Sequence, residues 1–232
     1  MSKIKQTKHR ELKLFFREGT SDIKAFREVI ITDSYQRREF KVEPGETWID
    51  IGANCGAFAL LAASRGANVK AFEPDPDNAS IARINIAENG FGKAVELFEL
   101  GLTEQEEAGR SSFYRNTAKG NVWRNSMYKA WRGGEKITIR TSSVKEWWLP
   151  EHCVKLDAEG VEMPILEKYA SKPVKKLVFE WSFDIDNSIP RFLEVIESLR
   201  KVYSNVKYGK FDESQERWKG SWFPPCRTVW CY

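Results

Sequence analysis

Two acids and two glycines at two neighbouring places carry the first chemical signal. The stretch WIDIGANCG, residues 48–56, puts Asp50 at the end of an apolar run and then bends through Gly52 and Gly56. The next apolar run, NVKAFEP, carries Glu73 near its end, and Asp75 follows. Glycines at a strand-to-helix bend let backbone approach a ligand closely. The helix that follows offers free N–H groups and partial positive charge. One βα unit later, Glu73 is placed to accept hydrogen bonds from two ribose hydroxyls. A dinucleotide site reads GxGxxG; here Asn54 stands where the second glycine would be, and Asp50 precedes the turn. A carboxylate there repels pyrophosphate and attracts ammonium. S-adenosylmethionine has an ammonium, a sulfonium, a ribose and no phosphate, and it suits these residues better.

The elements that position these residues alternate. TWIDIGA, NVKAFEP, AVELFELGL, CVKLDAEG and KKLVFEWSF read as strands. FALLAASRG, DPDNASIARINIAENG, VEMPILEKYA and IPRFLEVIESLRKVY read as helices between or after them. Asp75 or Asp77 starts the second helix, and Asn89-Gly90 closes it. This order predicts right-handed crossovers and a doubly wound α/β sheet. NVKYGKF and RTVWCY are expected as closing strands, with the loop WKGSWFPPC between them. Upstream, ELKLFFR and REFKVE suggest strands, and Ser21 caps a helix through DIKAFREVI. Residues 1–44 are expected to form a small N-terminal cap, and 45–232 one catalytic domain. Residues 103–140 are a polar, glycine-dotted excursion with a hairpin ending in KITIRTSSV.

Bulk properties narrow the classes. The chain has 232 residues, a formal net charge of +4 and 41% apolar residues, which suits one α/β domain with a sizeable core. No apolar run is long enough to span a membrane, and the basic start MSKIKQTKHRELK lacks the apolar core of a secretory signal and reads as a solvated tail. Cys55, Cys153, Cys226 and Cys231 make no CxxC pair, and His9 and His152 are the only histidines, which argues against zinc. The cysteines read as reduced thiols of a cytoplasmic protein.

Three stretches together resemble the FkbM family of S-adenosylmethionine-dependent class I methyltransferases. They are WIDIGANCGAFALLAA with AFEPDPDN, VKLDAEGVEMPILE, and FREGTSDIKAFREVI; LVFEW is also similar. The resemblance implies a seven-stranded, mostly parallel Rossmann-like sheet with an antiparallel final hairpin. It implies O-methylation of a hydroxyl on a sugar or glycosylated small molecule. By position it places Asp50, Gly52, Asn54 and Gly56 at the methionine end of the cofactor, Glu73 and Asp75 by the ribose, and Gly101-Leu102 by the adenine. The sequence departs from the family at Leu102-Thr103-Glu104.

Transfer to a hydroxyl needs a proton acceptor, and Asp157, at the end of the fourth strand, is the best candidate. Glu159 and Glu180 lie near it in the same reading, and Asp157, Glu159 and Glu180 could instead hold Mg²⁺, with Asp184 and Asp186 as outer possibilities. Glu159 and Glu162 have a plainer reading as acids at a helix start. Lys155 lies on the same side of its strand as Asp157 and could simply pair with it.

Two rivals stand beside the sugar reading. RNA ribose 2′-O-methylation could use a lysine, Asp157, a second lysine (Lys175 or Lys176) and Glu180. Base N-methylation is disfavoured because DAEG occupies the place of the usual Asn/Asp-Pro-Pro-aromatic loop, and Phe223-Pro224-Pro225 lies far downstream. The second rival is a binding module that keeps the fold without the chemistry. Trp123, Trp131, Trp147, Trp148, Trp218 and Trp222, with Tyr114, Tyr128 and Arg110, Arg115, Arg124 and Arg132, could grip a glycan or RNA, and residues 114–131 read as an acceptor lid.

Overall fold

A computed structural model describes residues 3–116, 125–128, 134–209 and 226–232. Strands β1 (Ile4–His9) and β2 (Leu12–Arg17) form an antiparallel hairpin, so the basic start is a strand where a solvated tail was expected. The hairpin forms because Leu12 and Leu14 bury one face of β2 while β1 stays in solvent. Helix α1 (Asp22–Phe26) runs into a π-helical turn, Arg27–Ile31. The strand expected at 38–43 is absent, and only an isolated bridge links Arg37 and Phe40. Phe40 and Val42 are buried there, and the backbone bonds side chains: Val42 N–H donates to Gln36 and the Lys41 carbonyl accepts from Lys176.

From residue 47 the alternation builds one seven-stranded sheet. Its strands are β3 (Thr47–Ile51), β4 (Asn68–Phe72), β5 (Val95–Phe98), β9 (Cys153–Leu156), β10 (Lys176–Ser182), β11 (Val206–Tyr208) and β12 (Cys226–Cys231). Their spatial order is β11-β12-β10-β9-β3-β4-β5, and only β12 runs antiparallel to its neighbours. Helices α2 (Ala57–Ser64) and α3 (Pro76–Glu88) follow β3 and β4; α4 (Glu162–Tyr169) and α5 (Ile189–Arg200) follow β9 and β10. The order reverses between β3 and β9, where a doubly wound sheet opens its ligand crevice.

The pleat sorts the core into two layers. Trp48, Cys153, Val178 and Trp230 face α2 and the N-terminal segment. Ile49, Ile51, Val154, Leu156, Leu177 and Phe179 face α4 and α5. The run AVELFELGL does not continue as one strand. It breaks after Phe98, and β6 (Gly101–Thr103) joins a separate three-stranded sheet with β7 (Gly109–Arg115) and β8 (Glu135–Ser143). The antiparallel β7–β8 pair is the hairpin expected in the excursion.

Helix α3 holds β2 through side chains. Asn85 and Asn89, one turn apart, each accept from and donate to β2 backbone, at Phe15 and Lys13 respectively, over 2.8–3.0 Å. Asn85 also donates to the Cys55 carbonyl at 3.0 Å, tying the hairpin to the glycine-rich bend.

Candidate active site at the strand tips

Strand register decides which acids meet. Asp50 lies opposite Lys155, and Lys155 opposite Val178. Asp50, Lys155 and Glu180 therefore share the face that looks toward the N-terminal segment, and Asp157 follows two residues after Lys155. Lys155 Nζ lies 3.1 Å from Asp50 Oδ1 and 3.9 Å from Asp157 Oδ2, and it donates to the Gly52 carbonyl at 2.7 Å. Asp50 is wholly buried, and neither of its oxygens accepts a well-aligned hydrogen bond. Burial pushes the Asp50 carboxyl up and the Lys155 charge pulls it back. Lys155 stays cationic: burial works against its charge, but Asp50 and Asp157 raise it above its ordinary value. The plain pairing with Asp157 is thus the longer contact, and Asp50 is the nearer partner.

Gly52 and Asn54 shape the bend. Both have left-handed backbone, with φ of 83° and 53°. A Cβ on Gly52 would stand 1.9 Å from the Asp157 carbonyl oxygen, so only glycine lets the β3 and β9 tips close together. Gly56 instead serves packing: its Cβ would meet Ala82 of α3 at 3.3 Å.

Glu73 folds back on the bend. Its two oxygens accept from the Asn54 N–H at 2.7 Å and the Asp75 N–H at 2.8 Å. Burial raises its pKa to about 7 despite these bonds. Asp75 is the N-cap of α3, accepting from Asp77 and Asn78, and its other oxygen is held by Arg115 and Asn125 at 2.8 Å each. Asp75 is therefore committed to structure. Gly101 packs against Ile139, Met127 and Pro74, and Leu102 is in the core.

The loop after β9 carries the remaining acids. Asp157 N–H donates to the Ile51 carbonyl at 3.0 Å, and Asp157 Oδ2 accepts from the Tyr35 hydroxyl at 2.5 Å. Glu159 has left-handed backbone, and its carbonyl accepts from Ser126. Glu162 is fully buried and turns back to accept from the Ala158 and Gly160 N–H groups, which braces the loop. Burial first, then Asp157, raises Glu162 to about 7 and Glu180 to about 8. Gly52, Asn54, Glu73, Pro74, Asp157, Ala158 and Glu159 line one cavity of about 40 Å³, narrowed by Phe113, Asn78 and Asn125.

The methyltransferase FkbM domain model matches residues 50–205. The chain belongs to the FkbM methyltransferase family. A solved FkbM methyltransferase from Methylobacillus flagellatus aligns at 14% identity with a TM-score of 0.53, over 89% of this chain and 48% of that one, and this likeness shows the fold. The AMB antimetabolite synthetase AmbE of Pseudomonas aeruginosa is 35% identical over 92 residues, 38% of this chain. This chain spans only 4% of AmbE's length and about half of the Methylobacillus protein.

The family implies S-adenosylmethionine as methyl donor, and the donor set fits that group. Asn54 has a buried, unbonded side-chain oxygen and Glu73 is an acid at the second strand tip, both on the cavity, while Asp50 lies behind that lining, paired with Lys155. The present 40 Å³ is far below the few hundred that a nucleoside occupies.

Three expectations are corrected. The set Asp157, Glu159 and Glu180 forms no metal site: among the described residues no group of three or more His, Cys, Asp or Glu side chains is arranged to hold an ion. Tyr35 takes one Asp157 oxygen, and burial keeps Glu180 toward its protonated form, which is a poor ligand for Mg²⁺. Asp186, an outer possibility, pairs with Arg191. The lysine–aspartate–lysine–glutamate set is not assembled either. Lys175 and Lys176 pair with Glu46 at 3.1 and 2.8 Å, at the start of β10, whereas Asp157 lies beyond the far end of β9. Third, Trp147 and Trp148 are not presented to an acceptor. Trp147 packs on Phe72 and Phe98, and Trp148 is buried with its N–H on the Lys172 carbonyl. Trp123, Trp131, Trp218, Trp222, Arg124, Arg132 and the Phe223-Pro224-Pro225 loop lie outside the described residues.

Sequence reasoning missed Tyr35, Phe113, Asn78 and Asn125. Tyr35 sits between two assigned elements in a stretch with no periodicity, and nothing local marks it. Among the described residues, no helix is long and apolar enough to cross a membrane.

Proposed function

We propose that this chain transfers a methyl group from S-adenosylmethionine to a hydroxyl of a sugar or glycosylated acceptor, with Asp157 as the proton acceptor. The supporting observation is that Asp157 lines the same cavity as Gly52, Asn54 and Glu73, with only its Oδ2 engaged by Tyr35. When bound, S-adenosylmethionine supplies an electrophilic methyl on a good leaving group. Asp50 and Asn54 hold its amino-acid end, and Glu73 accepts from its ribose hydroxyls. Asp157 Oδ1 takes the acceptor hydroxyl proton as the oxygen attacks. Phe113, buried at the cleft, keeps water from the reacting groups.

A sugar acceptor suits the outer rim. Tyr128 is half exposed and packs on Gly160, beside Glu159, so its ring offers a stacking face next to the cavity.

The test is methyl transfer from labelled S-adenosylmethionine into pooled glycans and, in parallel, RNA. Glycan labelling with little salt dependence is expected; labelling of RNA alone, or steep loss with salt, overturns the sugar reading. Asp157→Asn is expected to lower single-turnover transfer about 10³-fold while leaving the dissociation constant for S-adenosylhomocysteine within about twofold, checked by calorimetry. Normal transfer by this variant would remove Asp157 from the chemistry.

A further inference from the structure

The geometry points to Tyr35, from the N-terminal segment, as a positioning residue that holds the Asp157 carboxylate so that Oδ1 faces the acceptor. This rests on the reading of Asp157 as the proton acceptor.

Tyr35 is held from several directions. It is 4% exposed. Its ring stands edge-on to Phe58 with centroids 5.9 Å apart, and Lys155 Nζ lies 5.6 Å from the ring centre. Its carbonyl accepts from the Trp230 indole N–H at 3.0 Å, which anchors its backbone to β12. The turn before it is tied back by Ser34 N–H to the Glu28 carbonyl at 3.2 Å. A donor fixed in this way reaches Asp157 Oδ2 at 2.5 Å.

Asp157 itself has little other restraint on its side chain. Its backbone is fixed by the bond to Ile51, but its carboxylate can still rotate about the last torsion. Lys155 approaches the same Oδ2 only at 3.9 Å, because Asp50 and the Gly52 carbonyl hold its ammonium. The Tyr35 hydroxyl is therefore the near contact that selects which oxygen turns inward. Its proton stays in place: burial first, then the charges of Asp157 and Glu180, push the phenol well above its ordinary value. The hydroxyl is accordingly the donor and the carboxylate the acceptor.

The test uses the full chain and Tyr35→Phe, which removes one hydroxyl and keeps the ring. In the wild type, proton NMR should show one slowly exchanging tyrosine hydroxyl that vanishes in Tyr35→Phe and in Asp157→Ala. With pooled glycan as acceptor, Tyr35→Phe should lower kcat about tenfold, with the KM for S-adenosylmethionine and the Tm little changed. A hydroxyl that only supported the fold would move the Tm and leave kcat alone, and that result overturns the inference. So does an absent hydroxyl resonance in the wild type. If the wild type labels no glycan but the resonance is present, the acceptor reading fails while the Tyr35–Asp157 contact stands; NMR of the Asp157 carboxyl carbon then decides, since an unchanged signal in Tyr35→Phe overturns the holding role and a shifted one supports it.

Discussion

The two walls of the cleft are built by different physics. The inner wall is made of strand tips: Gly52 and Asp157 line it, and Asp50 and Lys155 pair behind them where register puts them, on two adjacent strands of one sheet. The outer wall comes from elsewhere: Phe113 from β7 and Asn125 from a short segment beyond it, while Tyr35, from a turn 122 residues before its partner, braces Asp157. A register-fixed wall cannot move without breaking the sheet. The outer side chains hang on separate segments, and among the described residues no strand ladder joins them to the seven-stranded sheet.

The comparison breaks most sharply at Lys155. Lys155→Met leaves Asp50 buried without its counter-charge, and the loss should be about 3–5 kcal/mol in urea unfolding. The double variant Asp50→Asn, Lys155→Met should recover most of it; no recovery would mean that the pair is not what couples β3 to β9. Gly52→Ala comes next. The new methyl would stand 1.9 Å from backbone, at a φ that L side chains resist, and about 3 kcal/mol of stability should go. A normal urea midpoint would show that the inner wall yields after all.

Smaller effects sharpen the contrast. Glu73→Gln should weaken S-adenosylhomocysteine binding by about 1–3 kcal/mol, read by calorimetry, because it loses a charged acceptor. The last is a slope. Glu162 and Glu180 have folded pKa values of about 7 and about 8, against an ordinary 4.5. Between those values the unfolded chain has released protons that the fold retains. Their contribution is full below about 4.5 and is lost as pH rises through about 7–8. Tm should therefore fall across that window, and fall less in Glu180→Gln; a rise with pH would contradict the burial of both acids.

The inner wall was legible in the sequence because it obeys local rules. Period-2 strands, a glycine bend and acids at strand ends all write themselves into contiguous residues. Gly52, Asn54, Glu73 and Asp157 could be placed at the strand tips from those alone and line one cavity, with Asp50 behind them on Lys155. The change of sheet at Gly101-Leu102 was not legible, because a chain that leaves one sheet for another after Phe98 looks like one apolar run. Tyr35 and Asn125 were invisible for a deeper reason. Their partners are set by how loops fold back, and no spacing in the sequence encodes that distance. Asn85 and Asn89 were equally silent, since asparagine on a helix usually reads as surface.

Those two asparagines turn a helix into a dock for a strand's edge. Whatever tugs the first hairpin outward would drag α3 with it, and Asp75 sits at that helix's leading end with Glu73 bonded to its amide. A binder or a crosslink on β1 would thus be felt at the Glu73 carboxylate, as though a latch on the outside of a door were wired to its lock.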